Sequence, residues 1–292
     1  MRIKSSLIAL FILLCTIIIC VITYFAAFAI TFLIGEVSVS DTGTATVNQG
    51  IFNLLQYTFI IIMMGYWYIR RFNVKLSTGS DFRKSLKFIF NPVSTLLLVL
   101  TGFLIQLGTG AFLYVMGEKF PAFFASYKTM MSNYTGSASI LFIITTITIG
   151  PIAEELVFRG LMTNYLLLSA TNSKEAKNSK TDIMPSPNPG NGVIWFAIIV
   201  QALLFGLYHG NVIQGCYAFL SGILLGYLKI KTDSLLTPIL LHMVINGSLY
   251  LLPDNMYLNT ITANVTGFVT FAIIVVLIVL LFKSYKKPER QE

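Results

Sequence analysis

Eight stretches of mostly apolar residues constrain this chain more than any other feature of it: Leu7–Ile34, Ile51–Ile69, Val93–Met116, Ile140–Leu168, Val193–Tyr208, Val212–Ile230, Leu235–Leu252 and Val265–Phe282. A helix that crosses a bilayer needs about 20 such residues, and most of these runs meet that length. The fifth run is short and ends at Gly210-Asn211, which predicts a tight helical hairpin with the sixth. Composition agrees, since 55% of the residues are hydrophobic and only 11% are charged. An average soluble domain carries about 25% charged residues, so a soluble enzyme, a disordered chain and a secreted disulfide scaffold are all excluded. The expected fold class is an all-α polytopic membrane protein with about eight transmembrane helices.

The first run follows Arg2 and Lys4 and contains Ala27-Phe28-Ala29, which has the look of a signal-peptide cleavage site. Its apolar length is about twice the usual 7–15 residues of a signal peptide, and it is expected to be a retained helix. The three cysteines, Cys15, Cys20 and Cys216, all fall in apolar runs and are expected to behave as small buried hydrophobes.

The net charge of +8 resolves into topology. With the N-terminus on the inner side, inner segments hold seventeen of the 20 Lys and Arg, outer loops hold only Lys119 and Lys128, and Arg159 lies within a span. This is the positive-inside asymmetry, assisted by anionic lipid heads. No nucleic-acid partner is needed; the lipid bilayer is the expected partner, and both termini are expected on the cytoplasmic side of the cell membrane. The outer segment Gly35–Gly50 is rich in Thr, Ser, Gly and Val, whereas the inner stretch Ser169–Gly192, with Pro185, Pro187 and Pro189, reads as a linker. Leu76–Phe90 interleaves apolar residues with Arg83, Lys84 and Lys87, the pattern of an interfacial amphipathic helix.

Once the loops are assigned, few ionisable groups remain inside the apolar runs: Glu154, Glu155 and Arg159 on the fourth, with both histidines of the chain, His209 and His242. Charged residues at a helix centre cost about 2.5–3.5 kcal/mol each, so three cost roughly 8–10 kcal/mol, against roughly 5–9 kcal/mol returned by the apolar residues of that run. The fourth helix is therefore near break-even alone and must pair its charges or face a wet cavity. Glu155 and Arg159 stand at i and i+4 and can pair on one face. Glu154 points about 100° away from Glu155 and has no cationic residue at helical spacing. Phe205 with His209, and His242 with Asn246, repeat the i, i+4 spacing on two other helices. Interhelical hydrogen bonding could account for any one of these groups, but such glue needs no second Glu beside the pair.

These residues carry a resemblance. Glu154-Glu155-Leu-Val-Phe-Arg159 resembles the EExxxR motif of the CAAX-protease and bacteriocin-processing (CPBP, or Abi) family of intramembrane proteases. Phe205-Gly-Leu-Tyr-His209 is similar to its FxxxH motif, His242-Met-Val-Ile-Asn246 to its HxxxN motif, and Gly222 to Leu236 to the segment linking them. The similar region runs from about Ile140 to Tyr250, without a departure at the motif positions. The implied organisation is an N-terminal transmembrane region of three helices (1–138), a protease core (139–252), and a last helix with a basic tail (253–292). The active site would then be buried within the C-terminal helical bundle. Other intramembrane protease classes fail on their motifs. There is no HExxH, no aspartate lies in a span, and Phe219-Leu220 precede Ser221-Gly222 where a rhomboid-type motif needs Gly.

Peptide hydrolysis needs a nucleophilic water, a base and donors for the developing oxyanion. Glu154 is the candidate base, with Glu155 and Arg159 orienting their neighbours. The resemblance implies that His209 helps Glu154 to activate water, and that His242 and Asn246 stabilise the oxyanion. Glu154, His209 and His242 also match the ligand count of a His₂Glu zinc centre, a metalloprotease reading in which Zn²⁺ is the cofactor. The metal-free reading is preferred, because Asn246 is a poor zinc ligand placed beside His242 as a donor. The expected partner is a membrane-associated peptide or protein substrate, of a class the sequence does not specify. Two other readings stay open: a transporter or proton-coupled carrier using Glu154 and Glu155 as a relay, and a non-catalytic immunity or scaffold protein. Against the carrier, the buried charge sits in one half of the chain and no inverted repeat is visible.

The charge asymmetry generates a test. A single cysteine introduced as Asp182→Cys should react with a membrane-impermeant maleimide only after the cells are opened. Labelling of intact cells would overturn the orientation.

Overall fold

The computed structural model describes residues 2–39, 45–72, 90–136, 139–170, 190–252, 257 and 259–284. Helix α1 (Arg2–Leu33) leads into a two-stranded antiparallel hairpin, β1 (Val37–Val39) and β2 (Ala45–Val47), in which Val37 pairs with Val47. Helices α2 (Gln49–Phe72), α3 (Pro92–Lys119) and α4 (Pro121–Gly136) follow. Residues 140–170 then form one composite helix: α5 (Ile140–Ile144), a π-helical turn π1 (Thr145–Ile149), α6 (Gly150–Glu155), a second π turn π2 (Leu156–Met162) and α7 (Thr163–Ala170). The chain continues as α8 (Asn191–Tyr208), α9 (Val212–Thr232), α10 (Leu236–Leu249) and α11 (Thr260–Ser284). Apart from the hairpin the fold is all-α, as expected.

Seven of the described helices are long and apolar enough to cross a membrane. The seventh run, expected to span, is the exception, since α10 has 14 residues and a rise of about 21 Å against a hydrocarbon core of about 30 Å. The residues before it are used in a turn. Asp233 adopts a left-handed conformation (φ 49°) at the end of α9 and returns its N–H to Lys229 O, and Ser234 Oγ caps Leu236 N at 3.1 Å. Lys229, counted from sequence among the inner-loop cations, is instead buried in the last turn of α9. There its charge complements the helix C-terminus. The connection between α3 and α5 also holds more structure than expected, since α4 occupies 16 of its residues. Helix α1 runs unbroken through Ala27-Phe28-Ala29. The interfacial helix expected at Leu76–Phe90 and the linker expected at Ser169–Gly192 lie largely outside the described residues.

The chain divides into two compact units. The first contains α1, α2, the composite helix and α8 as far as Phe205. Helix α2 lies along the composite helix, touching α5, π1, α6 and π2 in turn. Its fully buried positions Ile60 and Met64 recur at one-turn spacing. Gly50 makes the approach close at one end, where an added Cβ would sit 2.7 Å from Ser139 Oγ.

The two π turns have local causes. Pro151 cannot donate a helical hydrogen bond, and its ring would collide with the carbonyl four residues earlier. The turn ahead of it widens, and the Gly150 N–H reaches back to Thr145 O. At π2 the backbone N–H of Thr163 also reaches five residues back, to Phe158 O, and the Thr163 hydroxyl donates to the same carbonyl at 2.8 Å. Single π turns of this kind occur often at functional sites.

The second unit contains α3, α4, the last residues of α8, and α9 to α11. Leu98, Leu225, Leu228, Leu241 and Leu281 form its buried core, drawn from α3, α9, α10 and α11. A second cluster, Phe124, Tyr127 and Ile213, seats α4 against α9. Small residues let backbones approach, as expected where packing rather than water drives association. A Cβ on Gly102 of α3 would lie 2.7 Å from Val244 Cγ1 of α10.

The expected hairpin between α8 and α9 is present. Gly206 and Gly215 meet backbone to backbone, and a Cβ on Gly206 would sit 2.6 Å from Gly215 O. Gly210 takes a positive φ of 67° to turn the chain, and Asn211 caps α9 by accepting from Ile213 N and Gln214 N at 3.0 and 3.1 Å. A Gly206→Ala substitution must therefore move a backbone rather than a side chain. It should destabilise the protein by about 1–3 kcal/mol, read as a lower melting temperature in detergent, whereas an unchanged melting temperature would show that the hairpin yields freely.

Candidate active site

The site is built first around one ion pair. Glu155 ends α6 and Arg159 lies within π2, and Arg159 Nη1 donates to Glu155 Oε1 at 2.8 Å. Both side chains are 0% exposed. The i, i+4 pairing expected from sequence is thus realised even though the helix widens between the two residues. On its other side the guanidinium carbon lies 4.2 Å from the ring centroid of Phe205, well within cation–π range. Phe158 meets the same ring edge-to-face at 5.1 Å. Phe205, the first residue of the expected FxxxH motif, therefore acts as a lid on the buried arginine, a role its motif position alone did not reveal.

Glu154 occupies different surroundings. One residue along an α-helix is a rotation of about 100°, and Glu154 emerges half-buried on the face of α6 that meets α2. There the hydroxyl of Tyr57 donates to Glu154 Oε1 at 3.2 Å. The Tyr57 ring also fills the space left by Gly150, one turn earlier, where a Cβ would come within 3.2 Å of Tyr57 Cε2. Two consecutive carboxylates are thus held in unlike environments: Glu155 sealed and paired with a cation, Glu154 accessible and hydrogen-bonded by a phenol. Tyr57 was not among the residues expected from sequence. It lies 97 positions from Glu154, and an aromatic residue in an apolar run gives no local signal.

The remaining expected residues belong to the second unit. His209 lies in the connection between α8 and α9, partly exposed, with its backbone N–H on Gly206 O and its ring edge-to-face with Tyr208 at 5.9 Å. His242 is buried on α10, and Asn246 stands one turn further along the same helix. Val244, which packs on Gly102, is rotated by about 200° from His242. His242 and Asn246 therefore share the side of α10 that faces away from α3.

The zinc reading can be tested on the donors themselves. Among the described residues, no group of three or more His, Cys, Asp or Glu side chains is gathered to hold a metal ion. Glu154 and Glu155 lie in the first unit and His209 and His242 in the second, so neither unit alone supplies a His₂Glu set.

The pair and its neighbour should respond differently to truncation. Glu155→Ala leaves Arg159 buried without its carboxylate, a loss of about 3–5 kcal/mol for one broken buried pair. Glu154→Ala removes a half-buried group and should cost clearly less. Melting temperatures of the two purified variants check this, and equal losses would contradict the division of roles.

Comparison with known proteins gives one match. Neither the curated proteins nor the solved structures yielded a similar chain. Residues 136–248 match the family model described as type II CAAX prenyl endopeptidase Rce1-like, and the span includes all three motifs. This segment is therefore similar to the Rce1-like family, in agreement with the CPBP resemblance that the EExxxR, FxxxH and HxxxN residues carry.

Proposed function

We propose that the protein is an intramembrane endopeptidase of the CAAX-protease kind, with residues 139–252 as its catalytic core. The observation that carries this reading is the contrast between Glu155 and Glu154: a sealed, ion-paired carboxylate beside one that is reachable and held by a hydroxyl. A relay of charge would use both, whereas hydrolysis needs one structural carboxylate and one base. The Rce1-like segment supports the same class of activity.

In the proposed reaction Glu154, assisted by His209, takes a proton from water as the water oxygen attacks the scissile carbonyl carbon. The carbonyl π electrons move to oxygen, and His242 and Asn246 donate hydrogen bonds to that oxyanion. Collapse of the tetrahedral intermediate reforms the carbonyl and breaks the C–N bond. The proton held by Glu154 passes to the departing amine, giving a free carboxylate and a free amine. Glu155 and Arg159 take no proton in this scheme; their pairing fixes the helix turn from which Glu154 projects. The substrate class is a membrane-embedded or lipid-near peptide. A farnesylated peptide ending in a CAAX box is the first probe, in keeping with the description of the matching family.

With that peptide and full-length protein in detergent, Glu154→Gln should lower the cleavage rate by at least about 10²-fold, because Gln keeps the shape but cannot take the proton. His209→Ala and His242→Ala should lower it comparably without loss of folded protein. Chelation should leave the wild-type rate unchanged and no stoichiometric metal should copurify; loss of activity on chelation, restored by zinc, would establish the metal reading instead. Near wild-type cleavage by the Glu154→Gln protein would remove Glu154 from the role of base.

A further inference from the structure

We propose that Tyr57 is a positioning residue for Glu154, supplied by a helix outside the Rce1-like segment. This inference rests on the reading of Glu154 as the base. Helix α2 ends at Phe72 and the matching segment begins at residue 136, so none of the family-matched residues provides this contact.

The geometry is that of a held donor. Tyr57 Oη lies 3.2 Å from Glu154 Oε1. The ring rests on the bare backbone of Gly150, whose missing side chain would otherwise come within 3.2 and 3.4 Å of Tyr57 Cε2 and Cζ. Gly150 and Glu154 are one helical turn apart on α6, so the phenol lies along that turn with its ring at one end and its hydroxyl at the other. On α2 the buried Ile60 and Met64 stand three and seven residues after Tyr57, which places all three on one helix face. The ring is thus located by packing before its hydroxyl donates anything.

A glutamate needs this support more than most bases. Its carboxylate moves on three side-chain torsions, and Glu154 is only half-buried. A general base must sit within hydrogen-bond reach of the proton it abstracts, and misplacement by about 1 Å can cost about 10²-fold in rate. A hydroxyl fixed by packing restrains the carboxylate oxygen that it meets.

The test uses Tyr57→Phe in the full-length protein with the farnesylated CAAX-box peptide. The ring and its packing on Gly150 remain, and only the donor is lost. We expect kcat to fall about 10- to 100-fold with KM within about twofold and the melting temperature nearly unchanged. Gly150→Ala should displace the ring and lower kcat in the presence of Tyr57, yet add little in the Tyr57→Phe background, where no hydroxyl is left to misplace. A wild-type kcat for Tyr57→Phe, or full multiplication of the two effects, would overturn the proposal. So would a fall in kcat matched by a fall in melting temperature, which would make Tyr57 a packing residue. An activity-independent readout keeps the proposal separable from the protease reading. If the wild-type protein cleaves nothing, that reading fails, and the contact is judged on the rate at which a water-soluble carbodiimide modifies Glu154. A faster modification in Tyr57→Phe than in the wild-type protein supports the Tyr57–Glu154 interaction, and an unchanged rate overturns it.

Discussion

The Glu155–Arg159 pair is the constraint on which the first unit is arranged. Two opposite charges with no exposure, 2.8 Å apart, recover their desolvation cost only with close geometry and additional partners. The structure supplies the geometry through one helical turn and a further partner through the Phe205 ring, 4.2 Å from the guanidinium carbon. Arg159 Nε and Nη2 have no hydrogen-bond partner among the described residues, so the aromatic face is a substantial part of what stabilises this cation. Fixing Glu155 inward has a direct effect on its neighbour. The next residue back must project about 100° away, and that direction carries Glu154 to α2 and the hydroxyl of Tyr57. The accessible carboxylate is where it is because the sealed one is where it is.

In the second unit the corresponding task falls to backbone contacts rather than charge. The place of His209 follows from a hairpin closed by Gly206 on Gly215 and turned at Gly210. His242 and Asn246 are set by the seating of α10 on α3, where Gly102 admits Val244 to a distance that any side chain would forbid. Lipid tails are as apolar as leucine and offer little force to push helices together, so close packing and small residues carry the association. A histidine in such a place is positioned by the absence of side chains around its helix, which no inspection of the histidine itself would reveal.

Much of this was legible in the sequence, and the reasons differ from residue to residue. The ion pair follows from i, i+4 spacing and the expense of isolated charge in an apolar helix, and the three motifs carried the family resemblance. The α8–α9 hairpin followed from Gly210-Asn211 closing a short apolar run. Other features had no signal of that kind. The π turns depend on where Pro151 withholds a hydrogen bond and where the chain recovers, and hydrophobic periodicity blurs over such short segments. Helix α10 falls short of the apolar run because Leu235 goes to the turn that follows left-handed Asp233 and Tyr250, Leu251 and Leu252 go to a turn after Leu249. Helix α4 and the β1–β2 hairpin lie in two separate connecting regions that fall outside the apolar runs and suited a loop equally well. Tyr57 was invisible because its significance lies wholly in a partner 97 residues away.

The matched segment and the residues that hold its chemistry in place are different stretches of chain. Residues 136–248 contain Glu154, Glu155, Arg159, His209, His242 and Asn246. Their supports include α2, which meets Glu154 through Tyr57, and α3, which receives α10 at Gly102. Along their packed stretches both helices are uncharged, and the contacts described for them are a single hydroxyl and a missing side chain. On the reading of Glu154 as the base, α2 would support it from outside the matched segment, through the hydroxyl of Tyr57.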